Sequence, residues 1–96
     1  MDTNKKMAKF LLNRNLLDKI SIKQMQSFDL SEFDDDMLIK LAKSPSITNL
    51  SDEQIGNDCF INIFYLLNPT DLRELVFKLY NRFKGNQIQA IKVNDP

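Results

Sequence analysis

Asn68-Pro69-Thr70-Asp71 is the sharpest boundary in the chain, and it dictates a helix start. Proline has no N–H to donate, and its fixed φ suits the first helical position, with Asn68 placed to cap the amides that follow. From there a helix is expected to Lys84, with Leu72, Leu75, Val76, Leu79 and Phe83 on one face. Arg73, Glu74, Lys78 and Arg82 fall largely opposite, and Gly85 would supply a left-handed stop. Ser21 with Gln24 and Ser51 with Gln54 repeat the theme upstream, each a serine followed three residues later by an amide that can reach back. A chain punctuated in this way reads as a succession of capped helices.

The intervening segments fit that reading. A first helix is expected from Asn4 to Ile20, with Phe10, Leu12, Leu16, Leu17 and Ile20 along its apolar side and Met7 and Leu11 off that stripe. A short second helix runs from Ile22 to about Phe28. A third follows the break at Asp29-Leu30-Ser31, capped by Ser31 or one of Asp34 to Asp36, and reaches Lys43 with Phe33, Met37, Leu38 and Leu41 inward. Ser44-Pro45-Ser46 ends it, because proline disfavours helical geometry in the residue before it. Residues 52–67 are the ambiguous stretch. Their second half, Cys59 to Leu67, is rich in aromatic and β-branched residues and would suit a buried strand. The capped start and the length favour a helix that is apolar all round, with Gly56 at a close crossing. The expected fold is therefore all-α, a compact single-domain bundle of about five helices. A central antiparallel hairpin would be formed by about 52–67 and 69–84. Residues 1–85 form the helical domain, and 86–96 are read as a frayed tail or a short strand.

Composition removes whole classes of function. The chain has 96 residues, no histidine and one cysteine, so imidazole-dependent triads and an internal disulfide are excluded. Cys59 sits in the most apolar stretch with no base to activate it and reads as a structural thiol. Gly56 and Gly85 are too far apart to build a phosphate loop. The reading is accordingly non-enzymatic, with no cofactor and no metal site. Asp34-Asp35-Asp36 lacks the alternating spacers and the turn glycine of a calcium loop. The longest apolar run, Cys59–Leu67, is far shorter than the roughly 20 residues needed to span a bilayer. No unbroken signal-like core stands near the N-terminus, so the expected location is cytoplasmic, with no membrane partner.

Net neutrality conceals segregated charge: residues 1–28 carry +4, residues 29–53 carry −5, and the remainder carries +1. Asp29, Glu32, Asp34, Asp35 and Asp36 crowd into eight residues. These carboxylates either cap and solubilise, or form an acidic surface that steers a basic protein partner. Met7, Leu11 and Phe77, lying off the main apolar stripes, are the candidates for self-association into a homo-oligomer.

The run Ile20-Ser21-Ile22-Lys23-Gln24-Met25, then Phe28-Asp29-Leu30, then a helix carrying Leu38 and Leu41, is similar in rhythm to a winged helix-turn-helix. The resemblance covers about 30 residues and implies a DNA-binding regulator with a capped short helix before a recognition helix. Charge opposes it, since that second helix would open with Glu32, Asp34, Asp35 and Asp36 toward phosphates. DNA contact would then fall to Lys5, Lys6, Lys9, Arg14 and Lys19, or to Lys78, Arg82 and Lys84. The favoured expectation is a small adaptor, inhibitor or regulator acting by protein–protein contact. Its Lys-, Asn- and Ile-rich composition suits an AT-rich bacterium, phage or mobile element; the DNA-binding regulator is the alternative.

Overall fold

In the computed structural model the backbone is described for residues 2–94 and the side chains for residues 4–84. The chain is all-α, and no strand occurs among the described residues. The α-helices are α1 (Asp2–Asn13), α2 (Ile22–Met25), α3 (Asp35–Lys43), α4 (Asp52–Ile55), α5 (Asp58–Leu66) and α6 (Pro69–Asn94). Single 3₁₀ turns at Leu17–Lys19, Leu30–Glu32 and Pro45–Asn49 link them.

α1 is shorter than its apolar pattern suggests. Asn15 adopts φ 55, the left-handed geometry that asparagine tolerates better than most residues. The Leu16 amide donates to the Leu11 carbonyl at 2.8 Å, and the Asn15 amide donates to the Leu12 carbonyl at 3.3 Å. These two bonds are a Schellman closure, so the helix stops at Asn13 and the chain turns back. The turn carries Leu17 and Ile20 onto the core by another route and leaves Phe10, expected inside, 51% exposed.

α3 is the helix around which the others assemble. Asp34 caps it by accepting from the Met37 amide at 2.9 Å. Its Met37, Leu38, Leu41 and Ala42 are buried, and α1, α5, α6 and the Pro45–Asn49 turn all pack on it. The core continues through Ala8, Leu12, Met25, Phe28, Leu30, Ile47, Leu50, Phe60, Ile63, Leu75 and Leu79. The expected hairpin at the centre is corrected on this point: α3 with α5 is the densest pairing, rather than the segments 52–67 and 69–84 with each other.

The segment 52–67 is helical but divided. Ser51 and Gln54 form the complete reciprocal capping box, opening a single turn of helix that ends at Gly56. Asn57 then caps α5 by accepting from the Cys59 amide at 2.8 Å. A Cβ on Gly56 would meet the Asp52 carbonyl of its own turn at 3.2 Å, so Gly56 marks a helix end and not a crossing. The break also lets Gln54 turn inward. Its side chain, in a residue only 8% exposed, donates to the carbonyls of Met25 at 3.2 Å and Phe28 at 2.8 Å while accepting from the Ser51 amide at 2.8 Å.

α6 begins as the sequence indicates, with Asn68 Oδ1 accepting from the Asp71 amide at 2.9 Å. It does not end at Gly85; the helix is continuous for 26 residues to Asn94, and the last two residues of the tail or strand expected over 86–96 lie outside the described residues. Its buried edge is also rotated from the expected one. Leu75 and Leu79 are buried, whereas Val76 and Phe83 face outward. Arg82 explains the rotation: its guanidinium lies inward, donating to the carbonyls of Thr48 and Leu50 and pairing with Asp52 at 2.8 Å. A charged side chain takes an inward position here because three acceptors converge on it.

Replacing Gln54 with leucine roughly keeps the volume but removes the side-chain donor to the Phe28 carbonyl and the acceptor of the Ser51 amide, and leaves the Met25 carbonyl only its bond from the Phe28 amide. We expect a loss of about 2 kcal/mol in unfolding free energy, read as a lower urea midpoint with an unchanged slope.

Candidate functional site

Three surfaces can carry function: the acidic turn before α3, a cleft between the ends of α1 and α3, and the outward side of α6.

In the acidic turn, the carboxylates are drawn largely into local structure. Asp29 accepts from the Ser31 amide at 3.0 Å and the Ser31 hydroxyl at 2.7 Å, capping the Leu30–Glu32 turn. These bonds favour the ionised form and hold its carboxyl below the usual aspartate range. Asp34 caps α3, and Asp36 pairs with Lys40 at 2.9 Å one turn along the same helix. Asp35 is exposed in the first turn, where the helix dipole favours a negative charge. Glu32 is half-buried. Capping by neutral amides does not cancel charge, so Asp29, Asp34 and Asp35 leave this end of the molecule negative. The sequence thus brings Asp29, Glu32, Asp34, Asp35 and Asp36 together, but mostly because two successive helix starts need anions.

The cleft encloses about 400 Å³. Leu12, Leu17 and Pro45 line it together with Asn15, Asp18, Lys40, Lys43 and Ser44. Lys40 is already engaged, donating to Asn13 Oδ1 at 2.6 Å as well as to Asp36. Lys43 approaches Asp71 at 3.6 Å. Among the described residues no group of three potential metal ligands is found. Cys59 is half-buried against the core.

The outward side of α6 differs in kind. Val76, Phe77, Tyr80 and Phe83 are 50%, 57%, 58% and 45% exposed, four large apolar side chains within eight residues of one helix. By helical spacing Phe77 and Tyr80 face away from the buried Leu75 and Leu79 while Val76 and Phe83 flank that edge, and Phe77, Tyr80 and Phe83 follow one another about a turn apart. Exposed Arg73 precedes the group and exposed Lys84 follows it. The Lys84 ammonium lies 6.0 Å from the Tyr80 ring centroid, within cation–π reach. No family model, curated protein or solved structure matches this chain.

Of the residues singled out for self-association, Phe77 belongs to this exposed row. Met7 is 37% exposed and its sulfur accepts from the Gln24 side-chain Nε2 at 3.6 Å, while Leu11 is half-buried against the core. The three do not share one surface element, since Met7 and Leu11 stand on α1 and Phe77 on α6. Val76, Tyr80 and Phe83 were missed as surface residues. The signal was present: seven apolar or aromatic positions between Leu72 and Phe83 exceed what one buried edge needs, and the inward Arg82 decides which of them are left outside.

The winged helix-turn-helix resemblance does not extend to the geometry. Nine residues separate α2 from α3, α3 is enclosed by its neighbours, and no strand among the described residues forms a wing. No helix of the described residues is long and apolar enough to cross a membrane.

The Asp29 carboxyl should titrate below a normal aspartate in a carbon-detected NMR titration, and Ser31→Ala should return it toward the ordinary range. A depressed folded-state pKa stabilises above the unfolded value and is lost as pH falls through the folded one. Any loss of stability from Ser31→Ala should therefore be present at neutral pH and vanish in strong acid.

Proposed function

We propose that this protein is a small non-enzymatic adaptor or regulator that works by docking the outward side of α6 onto another protein. The observation that carries the reading is the exposed row Val76, Phe77, Tyr80 and Phe83. Exposed apolar residues scattered singly need no explanation, but a contiguous aromatic group on a regular helix, rimmed by charge, marks an interaction surface. Aromatic side chains also supply much contact area for little rotamer entropy, which is why they anchor interfaces. The body of the molecule serves as a rigid mount: α3 holds α6 through the core, and Arg82 fixes its rotation.

A second reading, contact of the acidic end with a basic partner, is favoured by the charge left at Asp29, Asp34 and Asp35. The two are compatible, since the surfaces are carried by different elements. A phage or mobile-element source and a cytoplasmic setting accord with the composition and belong to the same proposal.

Phe77→Glu combined with Tyr80→Glu tests the reading. Both side chains are exposed, so stability should change by no more than about 0.5 kcal/mol, with helicity by circular dichroism unchanged. Affinity capture from the host, quantified by mass spectrometry, should lose the partner that the wild-type chain retains. Equal capture by both proteins refutes docking through α6. Replacing Asp35 with asparagine in parallel reads the acidic surface separately.

A further inference from the structure

Resting on the protein-binding reading of α6, we infer that its partner is an acidic amphipathic helix, with aliphatic residues along one stripe and Asp or Glu along the stripe's edges.

The shape of the surface comes first. Within α6 every interior N–H and C=O is used in the helix, so the surface offers no backbone groups for a strand to pair with. What it offers is a ridge of side chains three and four residues apart, running from Arg73 to Lys84, about 16 Å at the helical rise. Such a ridge is matched by the grooves between side chains on another helix.

Charge selects among possible helices. Arg73 stands at one end of the row and Lys84 at the other, and both are exposed. Among the exposed residues from Arg73 to Lys84, Glu74 is the one carboxylate. Opposite charges across the rim contribute little affinity but set partner choice and encounter rate. Carboxylates at the partner's edges would meet the two cations and could cover the Tyr80–Lys84 pair without displacing it.

The same charges argue against the other occupants. In an antiparallel pair of α6 helices that sets Phe77 against Tyr80, Arg73 of one copy falls opposite Lys84 of the other, and this repulsion occurs twice. A parallel pair in register sets each cation against its own duplicate. Nucleic acid is disfavoured because two exposed cations across three turns give few phosphate contacts, and affinity for a polyanion rises with their number.

The experiment uses two fluorescently labelled helical peptides with the same leucine stripe, one edged with glutamate and one with lysine, titrated with the full chain at low salt. The glutamate-edged peptide should bind about tenfold more tightly, a preference of about 1.4 kcal/mol. Arg73→Glu with Lys84→Glu should reverse the order, and Phe77→Glu should abolish binding of both. Equal affinities that still depend on Phe77 overturn the charge selection while leaving docking through α6 intact. Binding that ignores Phe77→Glu overturns both. Failure of the glutamate-edged peptide to bind, tighter binding of a single-stranded oligonucleotide, or a Phe77-dependent rise in mass with concentration each overturns the acidic-helix partner.

Discussion

Every helix leaves four amides and four carbonyls unpaired at its ends, and a chain of 96 residues broken into this many short elements multiplies that burden. The structure meets it with side chains placed at the breaks. Ser21, Asp29, Asp34, Ser44, Ser51, Asn57 and Asn68 each accept a hydrogen bond from an amide of the element that follows. Where a helix closes, Asn15 does the equivalent work by taking up the left-handed geometry of a Schellman turn. Short helices of four residues, such as α2 and α4, would not persist in isolation because nucleation is unfavourable. They exist here because their ends are satisfied and their apolar residues, Met25 in one and the flanking Leu50 of the other, reach the common core.

Two long polar side chains then fasten these pieces to one another. Gln54 ties the turn at α4 to the carbonyls of Met25 and Phe28, closing a loop of nearly thirty residues with a buried amide whose donors and acceptor are all used. Arg82 does the same between α6 and the segment from Thr48 to Asp52. A buried polar group costs several kcal/mol if left unpaired, so such contacts are selective: only one arrangement of the elements satisfies them. The exposed row on α6 follows from this. With Arg82 committed inward, Leu75 and Leu79 complete the core, and Val76, Tyr80 and Phe83 have no place left within it.

This explains what could be read from the sequence. Helix starts were legible because the capping code is local: Ser51 with Gln54 and Asn68 before Pro69 each act within four residues. The all-α class followed from them, and so did the helical state of Cys59–Leu66 against its strand-like composition. Helix ends were less legible. Asn15 gives no signal as strong as proline, and Gly85, which does signal a stop, lies inside a continuous helix. The rotation of α6 was not legible at all from periodicity. Its apolar residues spread over more than half of the circumference, and the inward edge is chosen by an arginine whose three acceptors lie some thirty residues earlier in the chain.

The acidic turn illustrates the same division between local and distant causes. Two adjacent helix starts, at Leu30 and Asp35, each favour an anion at their N-terminal end, and this accounts for Asp29 and Asp34 without any partner. Asp36 follows from its partner Lys40 one turn along. A charge cluster of this origin is a by-product of secondary structure, and what separates it from a binding surface is whether any of its charges lacks a local task. Even Asp35, which is exposed, stands in the first turn of α3 where the helix dipole favours its charge. The aromatic row on α6 has no corresponding local explanation: capping does not use Phe77 or Tyr80, the core does not contain them, and leaving them in water opposes the hydrophobic term that drives the rest of the fold. The segregation of charge first seen in the sequence therefore acts mainly to build helix starts at one end of the molecule. Exposed apolar residues also occur at Phe10, Ile22, Ile61 and Tyr65, but the group of four within eight residues stands on α6, between Arg73 and Lys84.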